Sequence, residues 1–154
     1  MKTLSDLIKG QPFFEGVAPD HLAILAEHAE TRSIPGHQII FETGSEATLF
    51  YLISRGEVTL QTRFSVGIGN AGLQTLGPGD PVGWSWFFPP RIWQFSAAAK
   101  TDVEAIVFDG QKLMLEAEKN HSFGYDLAKR VGFMLSQRLE STRERMLQAY
   151  GLLM

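Results

Sequence analysis

The chain lacks cysteine altogether, has few charged residues and contains no long hydrophobic run. The absence of cysteine excludes disulfide bonds, thiolate metal sites and a cysteine nucleophile, although it says little about the cellular compartment. Charged residues make up 20% of the 154 residues, and the formal net charge of −3 gives no general attraction to nucleic acid phosphates. A signal peptide and a membrane-spanning helix both need a hydrophobic run. We therefore expect a cytoplasmic protein that does not associate with membranes.

Apolar and aromatic residues are plentiful, by contrast. Hydrophobic residues make up 44% of the chain, which includes eleven Phe, three Trp and three Tyr. A disordered segment contains far less apolar material, so this composition predicts a folded chain. A domain of this length removes about 70% of its unfolded surface from water and needs no metal or disulfide to stay folded. We expect a single domain over residues 1–154.

Sequence patterns divide the chain into three zones. Residues 1–30 predict two short helices, because Pro19 and Asp20 are typical of the first turn of a helix. Residues 31–108 contain runs of Ile, Val, Phe and Tyr separated by Gly and Pro turn signals, which predicts short antiparallel strands of a sandwich, roll or barrel. Residues 110–154 contain no proline and predict helices, first over 111–118 and then from about Ser122 onward.

Residues 57–64 alternate between apolar and polar side chains. This period of two predicts a strand with Val58, Leu60 and Phe64 on its buried face. The segment that follows, residues 67–72, matches the dinucleotide fingerprint GxGxxG letter for letter. That fingerprint needs a helix after it, whereas residues 73–78 predict a short strand and a turn. We therefore interpret residues 67–72 as a hairpin loop.

The last helix carries two parallel stripes four residues apart. The apolar stripe consists of Leu127, Val131, Leu135 and Leu139, and the stripe of small residues consists of Gly124, Ala128, Gly132 and Ser136. Small residues at this spacing let another backbone come close. Two interpretations stay open, and both can hold for different turns. The face packs on the β-domain, or its later part, with Leu135, Leu139 and Met146, pairs with a second copy of the chain in a homodimer.

The same helix is locally basic. Its positive side chains are Lys129, Arg130, Arg138, Arg143 and Arg145. Such a run is usually a solvated helix face, and direct DNA reading would need a partner helix and a turn. We expect a solvated face and no direct DNA binding.

Four glycine-punctuated motifs carry a resemblance to a known family. They are Phe14 with residues 17–22, the segment PGHQIIFETG at 35–44, LFYLISRGEV at 49–58, and LGPGDPVG at 76–83. In this order and with these gaps, the chain resembles the cyclic-nucleotide-binding domain family over residues 13–139. The resemblance implies an antiparallel β-roll, a double-stranded jelly roll, with N-terminal helices and a long C-terminal helix. It also implies a non-catalytic sensory or regulatory function.

The ligand cassette of that family aligns with residues 83–97. The resemblance implies a short helix after Gly83 whose N-terminus faces the cyclic phosphate, a Glu that binds the ribose, and an Arg that pairs with the phosphate. Trp84 stands at the Glu position and Trp93 at the Arg position, while Arg91 is displaced by two residues. An indole offers one donor and no charge. We therefore predict that the chain does not bind cAMP or cGMP in the usual mode.

Three hypotheses for the cassette follow. In the first, it binds an unidentified small molecule, anionic or aromatic, through the site residues Gly83, Trp84, Ser85, Trp86, Arg91, Trp93 and Gln94. Residues 83–86 would supply backbone donors, Arg91 the charge, and Trp84 and Trp93 stacking surfaces. In the second, the aromatic side chains plug the pocket and the chain is a ligandless dimerisation or docking scaffold. In the third, it is a true cyclic-nucleotide receptor that uses Arg91.

The sequence gives little support for a metal site or for an enzyme active site. The four histidines, His21, His28, His37 and His121, are scattered over separate elements and show no metal-ligand spacing. No nucleophile elbow occurs, and no pair of carboxylates has a context that would separate their pKa values. We expect no catalytic residues, no metal and no cofactor.

Overall fold

The computed structural model describes residues 2–61 and 73–151. Its α-helices are α1 (Leu4–Lys9), α2 (Pro19–Glu27), α3 (Gly110–Lys119) and α4 (His121–Ala149), and a short 3-10 helix covers Pro12–Phe14. The two short N-terminal helices and the two C-terminal helices are thus confirmed; α3 extends one residue beyond 111–118 at each end, and α4 begins at His121 rather than at Ser122. No helix in these residues is long and apolar enough to cross a membrane.

Within the residues that the structure describes, seven strands form two antiparallel sheets. The strands are β1 (Ala29–Ile34), β2 (Ile39–Phe41), β3 (Leu49–Arg55), β4 (Val58–Gln61), β5 (Leu73–Leu76), β6 (Ser96–Ala99) and β7 (Val103–Asp109). One sheet has the order β1-β7-β3 and the other β2-β6-β4-β5. The β-roll with flanking helices is therefore confirmed, although β1 begins at Ala29 rather than at residue 31.

The alternation in β4 is confirmed where the structure describes it. Val58 and Leu60 are buried and Gln61 is exposed. Side chains two residues apart on a strand share one face of the sheet, so Val58 and Leu60 both face the core from β4, which pairs with β5 and with β6. The predictions for Phe64 and for the loop at 67–72 fall outside the described residues.

Among the described residues, the fully buried side chains of helix α4 lie in its first half. Phe123, Leu127, Val131 and Met134 are buried, whereas Leu139 is 69% exposed. Of the stripe of small residues, Gly124 allows a close approach, since a Cβ there would lie 3.0 Å from the Ala117 carbonyl oxygen of α3. Further along the stripe, the space around Gly132 is open. Only the first turns of α4 therefore use this stripe for packing within the chain.

Two arginines of α4 are tied to the body, so the predicted solvated basic face is wrong at these positions. Arg130 Nη1 donates to the carbonyl oxygens of Phe13 at 2.8 Å and Glu15 at 3.0 Å. Arg138 Nη2 donates to the Pro81 carbonyl oxygen at 3.1 Å. Both residues are half-buried, and a long aliphatic stem lets an arginine reach backbone acceptors from such a position.

Candidate functional site

Backbone hydrogen bonds hold the cassette to the rest of the roll just before Gly83 and at Trp93. At its entry, the Val82 N–H donates to the Tyr51 carbonyl oxygen of β3 at 2.9 Å. At its exit, the Trp93 N–H donates to the Ser45 carbonyl oxygen at 2.9 Å, and the Trp93 carbonyl oxygen accepts from the Gly44 N–H at 2.8 Å. These bonds fix where the side chains in between can point.

The short helix that the resemblance implies after Gly83 is absent. Residues 84–90 instead form turns, in which the Phe87 N–H donates to the Trp84 carbonyl oxygen at 2.9 Å. The physical reason lies in Pro89 and Pro90, which cannot donate backbone hydrogen bonds and so stop a helix from extending through this segment. The row of free N–H groups at a helix N-terminus, which would attract a phosphate, is therefore not built here.

The Trp93 ring fills the interior of the roll beside Gly83. It is 2% exposed and stacks on Phe41 with ring centroids 3.7 Å apart and an angle of 6° between the ring planes. Gly83 has φ +84°, and a Cβ on it would lie 2.7 Å from Trp93 Cζ3 and 3.0 Å from Phe95 Cζ. The Trp93 side chain, at the position where the resemblance implied an Arg, thus lies against the glycine that opens the cassette.

Trp86 belongs to the core rather than to the cassette surface. It is 1% exposed and stacks on Phe50 with ring centroids 4.7 Å apart. On its other side, a Cβ placed on Gly110 at the start of α3 would lie 3.1 Å from Trp86 Cε3. Ser85 beside it is also buried. Trp86 therefore anchors the cassette to the sheet and to α3.

Arg91 and Gln94 turn toward the cassette's own backbone. Arg91 has φ +54°, and its Nε donates to the Trp86 carbonyl oxygen at 3.3 Å. Gln94 is exposed, and its Nε2 donates to the Ile92 carbonyl oxygen at 3.1 Å. Arg91 is half-buried, so it is not a freely solvated loop charge. Its hydrogen bond stabilises the turn that follows Trp86.

Trp84 lies where the cassette meets α4. It is half-buried, and the guanidinium of Arg138 lies 5.9 Å from the centre of its ring. Burial lowers the pKa of Arg138, and the nearby Asp80 carboxylate partly opposes this effect. Sequence reasoning missed Arg138 as a partner of the cassette. The signal was its position on α4, since it falls four residues after Met134 and seven after Val131, on the buried face of the helix.

Sequence reasoning also missed His21, which it treated as one of four scattered histidines. His21 is buried between α2 and α4. Its Nε2 lies 3.3 Å from Ser122 Oγ and its Nδ1 3.7 Å from Asp126 Oδ2. Within residues 2–61 and 73–151, no group of three or more His, Asp or Glu side chains is placed to hold a metal ion.

The second half of α4 presents the residues predicted for dimerisation. Leu135 is half-buried, while Leu139 and Met146 are 69% and 52% exposed. Tyr125 and Tyr150 are also exposed. Residues 125, 128, 132, 135, 139, 142 and 146 follow alternating steps of three and four, which places them on one side of the helix.

Comparison with known proteins identifies the family. The family model described as cyclic nucleotide-binding domain matches residues 31–120, more than half of the chain. The chain belongs to the cyclic nucleotide-binding domain family. The cyclic AMP receptor protein of Thermus thermophilus is 30% identical to this chain over 99 residues. That alignment covers 64% of this chain and 45% of the relative, so the chain spans less than half of that protein.

Solved structures show the same cyclic nucleotide-binding fold. A putative cyclic nucleotide-binding protein from Geobacter metallireducens GS-15 is similar with a TM-score of 0.79 and 24% identity, over 90% of this chain and 99% of that one. A cyclic nucleotide-binding domain from Methylobacillus flagellatus KT gives a TM-score of 0.76 and 17% identity, over 95% of this chain and 82% of that one. At these identities the likeness concerns the fold.

Proposed function

We propose that this chain is a non-catalytic regulatory module of the cyclic nucleotide-binding type that does not bind cAMP or cGMP in the family's usual mode. The observation that carries the proposal is the Trp93 ring, buried against Gly83 and stacked on Phe41. A cyclic nucleotide in the usual position would have to displace this ring, and exposing a buried aromatic side chain costs several kcal/mol.

The residues at the ribose and phosphate positions do not supply polar contacts that would offset the cost of displacing Trp93. Trp84 and Trp93 replace the ribose acceptor and the phosphate-pairing cation, and each hydrogen bond to a charged group is worth about 1.5–3 kcal/mol. Arg91 turns its Nε toward the Trp86 carbonyl oxygen at 3.3 Å, and its Nη groups keep their donors. The hypothesis of a receptor that uses Arg91 is therefore separated from this proposal by experiment.

Isothermal titration calorimetry with cAMP and cGMP tests the proposal. We expect no binding in the micromolar range. The cyclic AMP receptor protein of Thermus thermophilus in the same buffer serves as the control for ligand quality. Micromolar or tighter binding of either nucleotide would overturn the proposal, and loss of that binding in Arg91→Ala would establish the receptor hypothesis instead.

A second proposal concerns assembly. Leu139 and Met146 are exposed although they are large and apolar, and they lie on the side of α4 that has the three-and-four spacing, while Tyr150 just after the helix is also exposed. Large apolar side chains that recur along one helix face form a surface that a second apolar helix can cover. We propose that α4 pairs with α4 of a second copy, so that the module acts as a dimer. This dimer also suits the ligandless scaffold, in which α4 serves for dimerisation or docking alone.

A further inference from the structure

Arg138 is a cation without an anion among the residues that the structure describes. Its guanidinium makes one hydrogen bond, from Nη2 to the Pro81 carbonyl oxygen, and forms no ion pair in that part of the chain. The acid that influences it, Asp80, is not close enough for an ion pair and already accepts from the Gly77 N–H at 2.8 Å. An arginine removed from water is normally paired or fully hydrogen-bonded.

The remaining donors of Arg138 lie beside the cassette. A guanidinium has five N–H groups in a planar fork, and its Nε and Nη1 have no partner among residues 2–61 and 73–151. The Trp84 ring below it keeps the guanidinium in place, since a cation over an indole is attracted to the ring face. The fork is therefore pre-organised and partly desolvated, which are the two conditions that strengthen an Arg–oxyanion pair.

We propose that Arg138 and Trp84 form an oxyanion-binding site at the junction of α4 and the cassette, which takes a carboxylate or a phosphate group. This inference rests on the proposed function and deepens it. The positive charge that position 93 no longer supplies is present on α4 instead. An anion held here contacts the helix directly, so it would bias the position of α4 without entering the space that Trp93 fills.

The burial of Arg138 supports this site on energetic grounds. Because desolvation lowers the pKa of Arg138, the surroundings disfavour its charged form. An oxyanion at the free edge of the fork would relieve this cost and add up to two charge-assisted hydrogen bonds. Arg143 offers the matched comparison, because it lies on the same helix, is 65% exposed and faces Glu140 at 4.0 Å.

Titration of the wild-type protein tests the site. Inorganic phosphate and sodium benzoate are added separately, with chloride adjusted to keep the ionic strength constant. The Nε–H signal of Arg138 is followed by nitrogen-15 NMR and assigned by its absence from Arg138→Lys. We expect a saturable shift of this signal with at least one of the two anions. The anion that shifts the Arg138 signal shows whether the site prefers a phosphate or a carboxylate group.

Thermal unfolding of variants provides the second readout. At ten times the dissociation constant, the responding anion should raise the wild-type Tm by about 3–6 °C. Arg138→Gln should lose this rise and Arg143→Gln should keep it. The inference is overturned if neither anion shifts the Arg138 signal, or if the rise in Tm is the same in Arg138→Gln. Calorimetry with cyclic nucleotides tests the proposed function independently, so the two failures are distinguishable.

Discussion

At the scale of single residues, Gly83 and Trp93 decide the character of the cassette. Gly83 adopts φ +84°, which L-residues with a side chain rarely adopt, and its missing Cβ leaves the space that the Trp93 ring occupies. The glycine was recognisable from its sequence motif, because positive φ at tight corners is a local requirement. The contact between Gly83 and Trp93 was not recognisable, because it depends on the path of the chain between these two positions.

Substitution of Gly83 measures this contact. Gly83→Ala should destabilise the fold by about 1–2 kcal/mol through the backbone alone and by about 1–3 kcal/mol more through the clash with Trp93. Gly44→Ala is the matched control, since Gly44 has φ +91° but nothing within 4 Å of its Cβ position. Chemical denaturation of both variants checks the difference. Equal losses would show that Trp93 does not press on Gly83.

At the scale of elements, local patterns predicted more than long-range contacts did. Periodicity and turn residues separated the helical zones from the β zone and located the C-terminal helices within one residue at their predicted starts. The prediction of a helix after Gly83 was wrong. It came from the family resemblance, whereas Pro89 and Pro90 disfavour a helix in this chain. The burial of α4 was predictable in part. The apolar stripe identified Leu127 and Val131 as buried, but it could not show at which turn the helix stops contacting the rest of the protein.

The exposed half of α4 makes a prediction about assembly. Leu139→Lys should convert the dimer to a monomer, because a charge on the paired face would be buried without a partner. Leu115→Lys on α3 is the control, as Leu115 is also large, apolar and 60% exposed but lies on another helix. Light scattering after size-exclusion chromatography gives the mass of each. A wild-type chain that stays monomeric at high concentration would refute the dimer.

The capping box of α1 makes a prediction about pH. The Thr3 N–H donates to Asp6 Oδ2 at 3.1 Å, and this bond, with a smaller contribution from the Thr3 hydroxyl, holds the pKa of the Asp6 carboxyl below its ordinary value of 3.8. Since the folded pKa is depressed, the stabilisation is complete above the unfolded pKa and is lost as the pH falls through the folded one.

Asp6→Asn removes the titrating group and is the test of this effect. Hydrogen exchange of α1 should become faster toward low pH in the wild-type protein, after correction for intrinsic exchange, and should depend less on pH in the variant. An NMR titration in which the Asp6 carboxyl ionises at or above its ordinary pKa would contradict the expectation.

At the scale of the whole molecule, α4 joins the two ends of the chain to the roll. Arg130 reaches the backbone of Phe13 and Glu15, and its Nε also donates to Asp126 at 3.1 Å. Arg138 reaches Pro81 at the entry to the cassette. A change at the cassette and a change in the N-terminal segment therefore both act on one helix. Sequence patterns could not predict these links, because a basic run on a helix is usually solvated.

Loss of Arg130 should loosen the N-terminal segment. Arg130→Gln removes charge-assisted bonds to two carbonyls and the ion pair with Asp126, which keeps only the longer contact to His21 Nδ1 at 3.7 Å, so we expect a loss of about 2–3 kcal/mol and faster hydrogen exchange in residues 12–17. Arg143→Gln should change stability by less than about 0.5 kcal/mol, because that pair is exposed. If both variants lose the same stability, Arg130 does not tie the ends together.

The distribution of the indole side chains has an optical consequence. All three tryptophans of the chain, Trp84, Trp86 and Trp93, fall in the cassette. Trp86 and Trp93 are buried and Trp84 is half-buried beside α4. The intrinsic tryptophan fluorescence of the entire protein therefore originates in this one segment. Its emission can report opening of the cassette in real time, without a dye and without background from the helices.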